Sequence, residues 1–64
     1  REVLVLIRPA ILRKGNGDTY DPRLPDPLPR GAEVQVRHRR GGWVQVELPG
    51  GVVGWVPEEN TAGE

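Results

Sequence analysis

The sequence contains no cysteine, serine, methionine or phenylalanine, and its only histidine is His38. Without cysteine, disulfide bonds and thiolate metal ligands are excluded. One histidine is too few for a zinc site, which takes several nitrogen or sulfur ligands, so we expect neither a metal nor a cofactor. Thr19 and Thr61 carry the only aliphatic hydroxyl groups, which leaves almost no material for a nucleophile paired with histidine. We therefore predict no catalytic residues and expect that the chain is not an enzyme.

An excess of charge of one sign is also lacking, because nine lysine and arginine residues balance nine aspartate and glutamate residues. Proteins that bind nucleic acids or anionic membranes usually owe their affinity to an excess of basic residues, so we expect neither partner. The longest apolar run, residues 3–7, is far shorter than the roughly 20 residues of a membrane-spanning helix. No signal peptide is recognisable, and we expect no membrane insertion by this chain.

Glycine and proline are abundant, with nine and seven residues, and they interrupt the chain too often for a helix of useful length. The apolar residues are mainly valine, leucine and isoleucine in short runs between turn signals, which favours an all-β barrel or sandwich. Since 64 residues have room for one core only, we predict one domain over residues 1–64 and favour a small barrel. The chain starts at Arg1 without a methionine, so we take it as a domain excised from a longer protein.

A tight β-hairpin is predicted for residues 42–57. Apolar side chains recur at every second position of its first strand, at Val44, Val46 and Leu48. The segment Pro49-Gly50-Gly51 supplies turn residues that tolerate positive φ. The second strand ends at Pro57, which has no N–H group for a ladder. The tryptophan of this second strand, Trp55, is expected to be partly buried.

Two further segments are predicted to be strands. Residues 3–7 form a continuous apolar run, which is typical of a strand covered on both faces. In residues 33–39, alternation places Val34, Val36 and His38 on one face. We therefore expect His38 at the edge of the core, as a structural histidine.

The remaining segments read mainly as turns and loops. Gly15-Asn16-Gly17 is predicted to form a turn, since glycine and asparagine tolerate left-handed backbone φ and ψ values. Residues 58–60 are predicted to form one helical turn, and residues 61–64 are expected to fray. The sequence therefore predicts four strands with a possible fifth.

The segment 21–31 is rich in proline and allows two interpretations. It can be an ordered surface loop with Leu24 or Leu28 turned inward, or a polyproline II ligand for another domain. Pro22 and Pro25 do form a PxxP pattern, but no basic residue flanks it in the usual place. We favour the ordered loop.

The order of several short motifs resembles bacterial SH3-like (SH3b) domains. These motifs are Leu12-Arg13-Lys14-Gly15, Leu28-x-x-Gly31-x-x-Val34, Gly42-Trp43-Val44-x-Val46-x-Leu48 and Gly54-Trp55-Val56-Pro57. The chain is most similar to the SH3-like domain of bacterial tetratricopeptide-repeat proteins of the aerotolerance-operon type. Three segments carry that narrower similarity: Arg13-Lys14-Gly15-Asn16-Gly17 with Tyr20, Pro27-Leu28, and Gly54-Trp55-Val56-Pro57.

The resemblance implies a five-stranded, partly open β-barrel that acts as a non-enzymatic binding module. It also implies a larger protein of the bacterial cell envelope, on the periplasmic or extracytoplasmic side. Two departures qualify it. The ALYDY motif of proline-peptide grooves is absent, so PxxP binding is not assumed, and Asn60 stands where relatives usually carry an aromatic residue.

Trp43 is predicted to face outward, because it lies on the opposite side of its strand from the valines. In the resembling fold this position borders the peptide-binding face, with Tyr20 from the long loop and Pro57 nearby. We therefore predict a shallow platform of Tyr20, Trp43 and Pro57 for an extended ligand, flanked by Asp18 and Asp21. The alternative is that Trp43 only caps the end of the barrel against the long loop.

The expected partners follow from this platform and from the charge distribution. Residues 30–40 carry four arginines against Glu33, and residues 57–64 carry three glutamates. We expect these segments to offset each other, partly through exposed ion pairs, since nucleic-acid binders usually interleave basic stripes with aromatic residues. The predicted partner is a protein, a peptide or a cell-wall glycopeptide. The alternative function is a structural adaptor that packs on a neighbouring domain and binds no free ligand.

Overall fold

The computed structural model describes residues 1–64 and shows five antiparallel strands in one sheet, with strand order β4-β3-β2-β1-β5. The strands are β1 (Val3–Leu6), β2 (Glu33–Arg40), β3 (Trp43–Glu47), β4 (Val53–Pro57) and β5 (Thr61–Gly63). The sheet curls into a small, partly open barrel, which confirms the predicted all-β class. A 3₁₀ turn over Glu58–Asn60 is the only helical segment, so no helix has the length or apolarity that crossing a membrane requires.

The predicted hairpin is confirmed in β3 and β4. The strands pair in register from Trp43 opposite Pro57 to Glu47 opposite Val53. Gly50 and Gly51 have φ values of 93° and 89°, the left-handed region that favours glycine, so this turn requires the residues that the sequence supplies.

The core lies on the concave side of the sheet and consists of nine buried apolar residues. They are Leu4, Leu6, Ala10, Leu12, Leu28, Val34, Val44, Val46 and Val56. In β1 only alternate residues are fully buried, and Ile7, which follows the strand, is 42% exposed. The expectation that residues 3–7 are covered on both faces was therefore wrong, because the sheet has no second layer over its convex side.

A β-bulge in β2 changes the predicted position of His38. Val36 pairs with Val46, but His38 pairs with Gln45, so Arg37 is an extra residue between them. The extra residue turns His38 to the convex face, where it is exposed rather than at the edge of the core. Its ring meets the indole of Trp55 edge-on, at a centroid distance of 6.1 Å and an interplanar angle of 84°. Trp55 itself is partly buried, as predicted.

The long connection between β1 and β2 is ordered and folds over the open side of the sheet. Ala10 bridges to Leu28, and Arg13 bridges both to Pro22 and to Trp55 of β4. Leu28 is buried and Leu24 packs partly buried against the core, which confirms the ordered-loop interpretation of the proline-rich segment.

The chain does not fray after the 3₁₀ turn, contrary to expectation. Residues Thr61–Gly63 form β5, with Ala62 opposite Val5 of β1. The start of this strand is held by Asn60, whose Nδ2 donates to the carbonyl oxygen of Pro9 at 3.1 Å. Arg8 donates from Nη2 to the Glu59 carbonyl oxygen at 2.8 Å. These long-range contacts fix a segment that has little hydrophobic pattern of its own.

Exposed ion pairs join the basic end of β2 to its surroundings. Arg39 donates two hydrogen bonds to the carboxylate of Glu2, at 2.7 and 2.6 Å, and one to Glu58 at 3.0 Å. Arg37 donates to Glu47 at 2.8 Å. The hydrogen bonds from Arg39 lower the pKa of Glu2, and the same bonds raise the pKa of Arg39. The predicted pairing of the basic and acidic segments thus occurs at Arg39 and Glu58, with Glu2 as a further partner.

Candidate functional site

A surface cleft of about 240 Å³ lies where the start of β3 and the end of β4 meet the long loop; we call it the Trp43 cleft. Its lining combines apolar residues with one acidic, one basic and one amide side chain. These residues are Pro9, Ala10, Ile11, Arg13, Asp18, Trp43, Pro57 and Asn60. The cleft therefore joins the hairpin to two separate parts of the chain, the segment after β1 and the tip of the long loop.

The hairpin supplies one wall of the Trp43 cleft. Val44 is completely buried, so Trp43 lies on the other face of β3, where its side chain is half-buried. Pro57 lies directly opposite Trp43 across the ladder. The two rings thus occupy neighbouring cross-strand positions, which are close enough for side chains to form one continuous surface.

The tip of the long loop supplies Asp18. The loop is compact because the ring of Tyr20 lies against Gly15, where an added Cβ atom would be only 2.5 Å from Cδ1 of Tyr20. Gly15 and Gly17 do not have positive φ, so glycine is needed at position 15 for close approach rather than for the left-handed backbone that the sequence suggested.

The structure brings together three of the five residues predicted for the site: Asp18, Trp43 and Pro57 line the cleft. Tyr20 and Asp21 do not line it. Tyr20 is 50% exposed and covers the glycine turn, and the backbone carbonyl of Asp21 accepts a hydrogen bond from the Lys14 amide at 2.9 Å.

Arg13 and Asn60 line the cleft but were not predicted as site residues. Arg13 is fixed at its backbone, since its N–H and C=O groups exchange 2.8 Å hydrogen bonds with Trp55. Its guanidinium Nη1 donates to the carbonyl oxygen of Tyr20 at 3.0 Å. The available signals were the position of Arg13 in the Leu-Arg-Lys-Gly motif and the unusual amide at position 60, but neither indicates a partner in space.

A second cavity, of about 330 Å³, lies at the other end of the hairpin, beside the Pro49-Gly50-Gly51 turn. Glu33, Gln35 and Glu47 contribute polar groups to its lining. Beside it, a hydrogen bond with Glu33 and the charge of that neighbour raise the pKa of Glu64. None of the residues predicted for the site lies in this cavity.

No cluster of three or more histidine, cysteine, aspartate or glutamate residues is arranged to hold a metal ion.

A family model described as "Bacterial SH3 domain" matches residues 27–62, which is more than half of the chain. No curated protein and no solved structure matches the chain. The matched range contains Trp43, Pro57 and Asn60, whereas the loop side of the cleft, with Arg13 and Asp18, precedes it.

Proposed function

Because the chain belongs to the bacterial SH3 domain family, we propose that it is a non-catalytic binding module whose Trp43 cleft takes an extended peptide, free or within a cell-wall glycopeptide. The observation that carries this proposal is the half-buried indole of Trp43 beside Pro57 in a cleft open to solvent. A rigid aromatic ring provides a large contact area at little cost in side-chain entropy, which suits a binding site.

We further propose that residues 1–64 are one domain of a longer envelope protein, on the periplasmic or extracytoplasmic side. The support is the resemblance of the segment 13–17, with Tyr20, to aerotolerance-type tetratricopeptide-repeat/SH3 proteins. The test is the sequence of the full-length protein. Tetratricopeptide repeats and a membrane helix before this domain would support the aerotolerance-type assignment. An adjacent peptidase or amidase domain would contradict that assignment and favour cell-wall targeting.

The binding proposal is tested by co-sedimentation of the 64-residue chain with purified peptidoglycan and by NMR titration with soluble muropeptides. We expect Trp43→Ala to weaken binding about tenfold or more, as loss of a central aromatic anchor usually does. Trp55→Ala is the matched control, since Trp55 lies outside the cleft and meets His38 on the convex face. Equal affinity of wild type and Trp43→Ala would refute the role of the cleft.

The adaptor function is the second candidate, and exposed apolar side chains outside the cleft favour it. Ile7 and Tyr20 are 42% and 50% exposed, and neither lines the Trp43 cleft. In an adaptor, a neighbouring domain would cover these side chains. Hydrogen exchange that is slower near both residues in the full-length protein than in the isolated chain, together with no binding of peptidoglycan or muropeptides, would favour the adaptor.

A further inference from the structure

We infer that the Trp43 cleft selects a free α-amino-carboxylate, that is, an ammonium group and a carboxylate group on the carbon that ends an aliphatic stem. This inference rests on the proposed function and names the chemical group that the cleft binds. It depends on Arg13 and Asp18, two residues of opposite charge that line the same small cleft.

Arg13 and Asp18 do not neutralise each other. The ion pairs of the chain join Arg37 to Glu47 and Arg39 to two glutamates, and neither Arg13 nor Asp18 takes part in one. The Arg13 guanidinium donates a hydrogen bond to the Tyr20 carbonyl oxygen, a neutral acceptor that leaves the guanidinium charge uncompensated. The carboxylate of Asp18 accepts no hydrogen bond from any side chain of the protein. Both charges are therefore available to a ligand.

The other surfaces of the cleft offer few competing polar interactions. Its walls include four residues with large apolar side chains: Pro9, Ile11, Trp43 and Pro57. The amide nitrogen of Asn60 is already engaged with the Pro9 carbonyl oxygen. At about 240 Å³, the cleft is smaller than the roughly 300–1,000 Å³ of pockets for drug-sized ligands, so it fits one side chain with its charged end.

A dipolar group matches this arrangement better than a single charge does. A lone cation would pair with Asp18 but meet the charge of Arg13, and a lone anion would have the opposite conflict. At the ends of a peptide chain the α-amino and α-carboxyl groups have pKa values of about 8 and about 3.5. On one carbon each charge favours the other, so both groups are charged at neutral pH. The aliphatic stem behind them contacts the rings of Trp43 and Pro57.

The probe is Nε-acetyl-L-lysine, which carries both charges at the end of a stem that stops in a neutral amide. Two blocked forms remove one charge each: Nα,Nε-diacetyl-L-lysine has no ammonium group, and Nε-acetyl-L-lysine amide has no carboxylate. In NMR titrations of the 64-residue chain, we expect each block to weaken binding about fivefold, as loss of one exposed charge pair predicts. The shifts should centre on the indole N–H of Trp43.

Substitutions assign each charge of the probe to one side chain. We expect Asp18→Asn to bind the free and Nα-acetylated probes alike while still preferring the carboxylate over the amide. Arg13→Gln should show the reverse. Asp21→Asn is the matched control, because this neighbouring loop carboxylate lies outside the cleft and both preferences should persist.

The outcomes separate this inference from the proposed function. If the three probes bind equally, or the dipolar probe does not bind, while peptidoglycan binding still depends on Trp43, the inference is overturned and the proposed function stands. If peptidoglycan and muropeptides also fail to bind, both fall. L-alanine tests the contribution of the stem, since it has both charges but only a methyl group in place of the stem. Affinity for L-alanine equal to that for the probe would overturn the role of the stem.

Discussion

The two edges of the sheet are closed in different ways. At the β4 edge, Trp55 exchanges two backbone hydrogen bonds with Arg13, and Leu12 packs directly over Gly54. At the β5 edge, no further strand or loop pairs with residues 61–63. That edge depends instead on side-chain contacts at the start of the strand, chiefly those of Asn60.

The difference explains why the cleft lies where it does. An uncovered sheet edge leaves unpaired N–H and C=O groups, and proteins cover such edges or keep them short. Here the long loop covers β4, and the same contact carries Arg13 and Asp18 to the side of Trp43. The β5 edge is kept short, at three residues, and carries no comparable site.

The largest difference in stability between the two edges is expected when a glycine in each edge strand is replaced by alanine. A Cβ atom at Gly54 would lie 2.5 Å from Cγ of Leu12 and 2.9 Å from the Arg13 carbonyl oxygen, so Gly54→Ala should push the loop off β4. We expect a loss of about 1–3 kcal/mol in the free energy of unfolding, as for other overpacked cores. Gly63→Ala is the control, because nothing lies within 4 Å of its added Cβ atom. Urea denaturation measures both, and equal losses would contradict the proposed closure of β4.

A smaller effect is expected from the side chain that holds β5. Asn60→Ala removes the hydrogen bond to the Pro9 carbonyl oxygen and the longer one that Asn60 accepts from Arg8 at 3.4 Å. We expect a loss of about 0.5–1.5 kcal/mol in the free energy of unfolding. Amide hydrogen exchange should quicken in β5 but not at Trp55. Asn16→Ala, which removes an amide that makes no side-chain hydrogen bond, serves as the control. Exchange that quickens equally at both edges would show that Asn60 acts on the whole fold rather than on β5.

The smallest effect is expected from the two ion pairs of Arg39, one to Glu2 just before β1 and one to Glu58 in the 3₁₀ turn before β5. Arg39 lowers the pKa of Glu2 below its usual value of 4.5. The carboxylate therefore stabilises the fold above the unfolded-state pKa, and this contribution is lost as pH falls through the lower, folded-state pKa. On acidification from about pH 5 to about pH 3, the urea midpoint of the wild type should fall more steeply than that of Glu2→Gln.

Glu59→Gln is the control for this pH dependence. Glu59 lies beside Glu58 in the 3₁₀ turn, but its side chain makes no ion pair. It should keep the wild-type slope. Parallel slopes for the wild type and Glu2→Gln would mean that the contact with Arg39 does not affect stability.

The hairpin could be predicted from the sequence because period-two alternation and turn residues act locally. β5 could not, since Thr61-Ala62-Gly63 has little strand pattern and is held by pairing with β1. His38 was misplaced because one extra residue in β2 reverses the faces that alternation assigns. In the cleft, Trp43 and Pro57 follow from the hairpin. Arg13 enters through a long-range backbone contact that no local pattern records.

The bulge at Arg37 also determines where β2 can change in length. Two residues of β2 span one step of β3 between Val36 and His38. Deleting Arg37 would therefore bring His38 directly after Val36 and leave every later pair of the ladder in place. Removing Gln35 instead would reverse the faces of Val36 and Arg37 and turn Arg37 toward the core. Among related chains, a natural one-residue gap in this strand is expected at position 37.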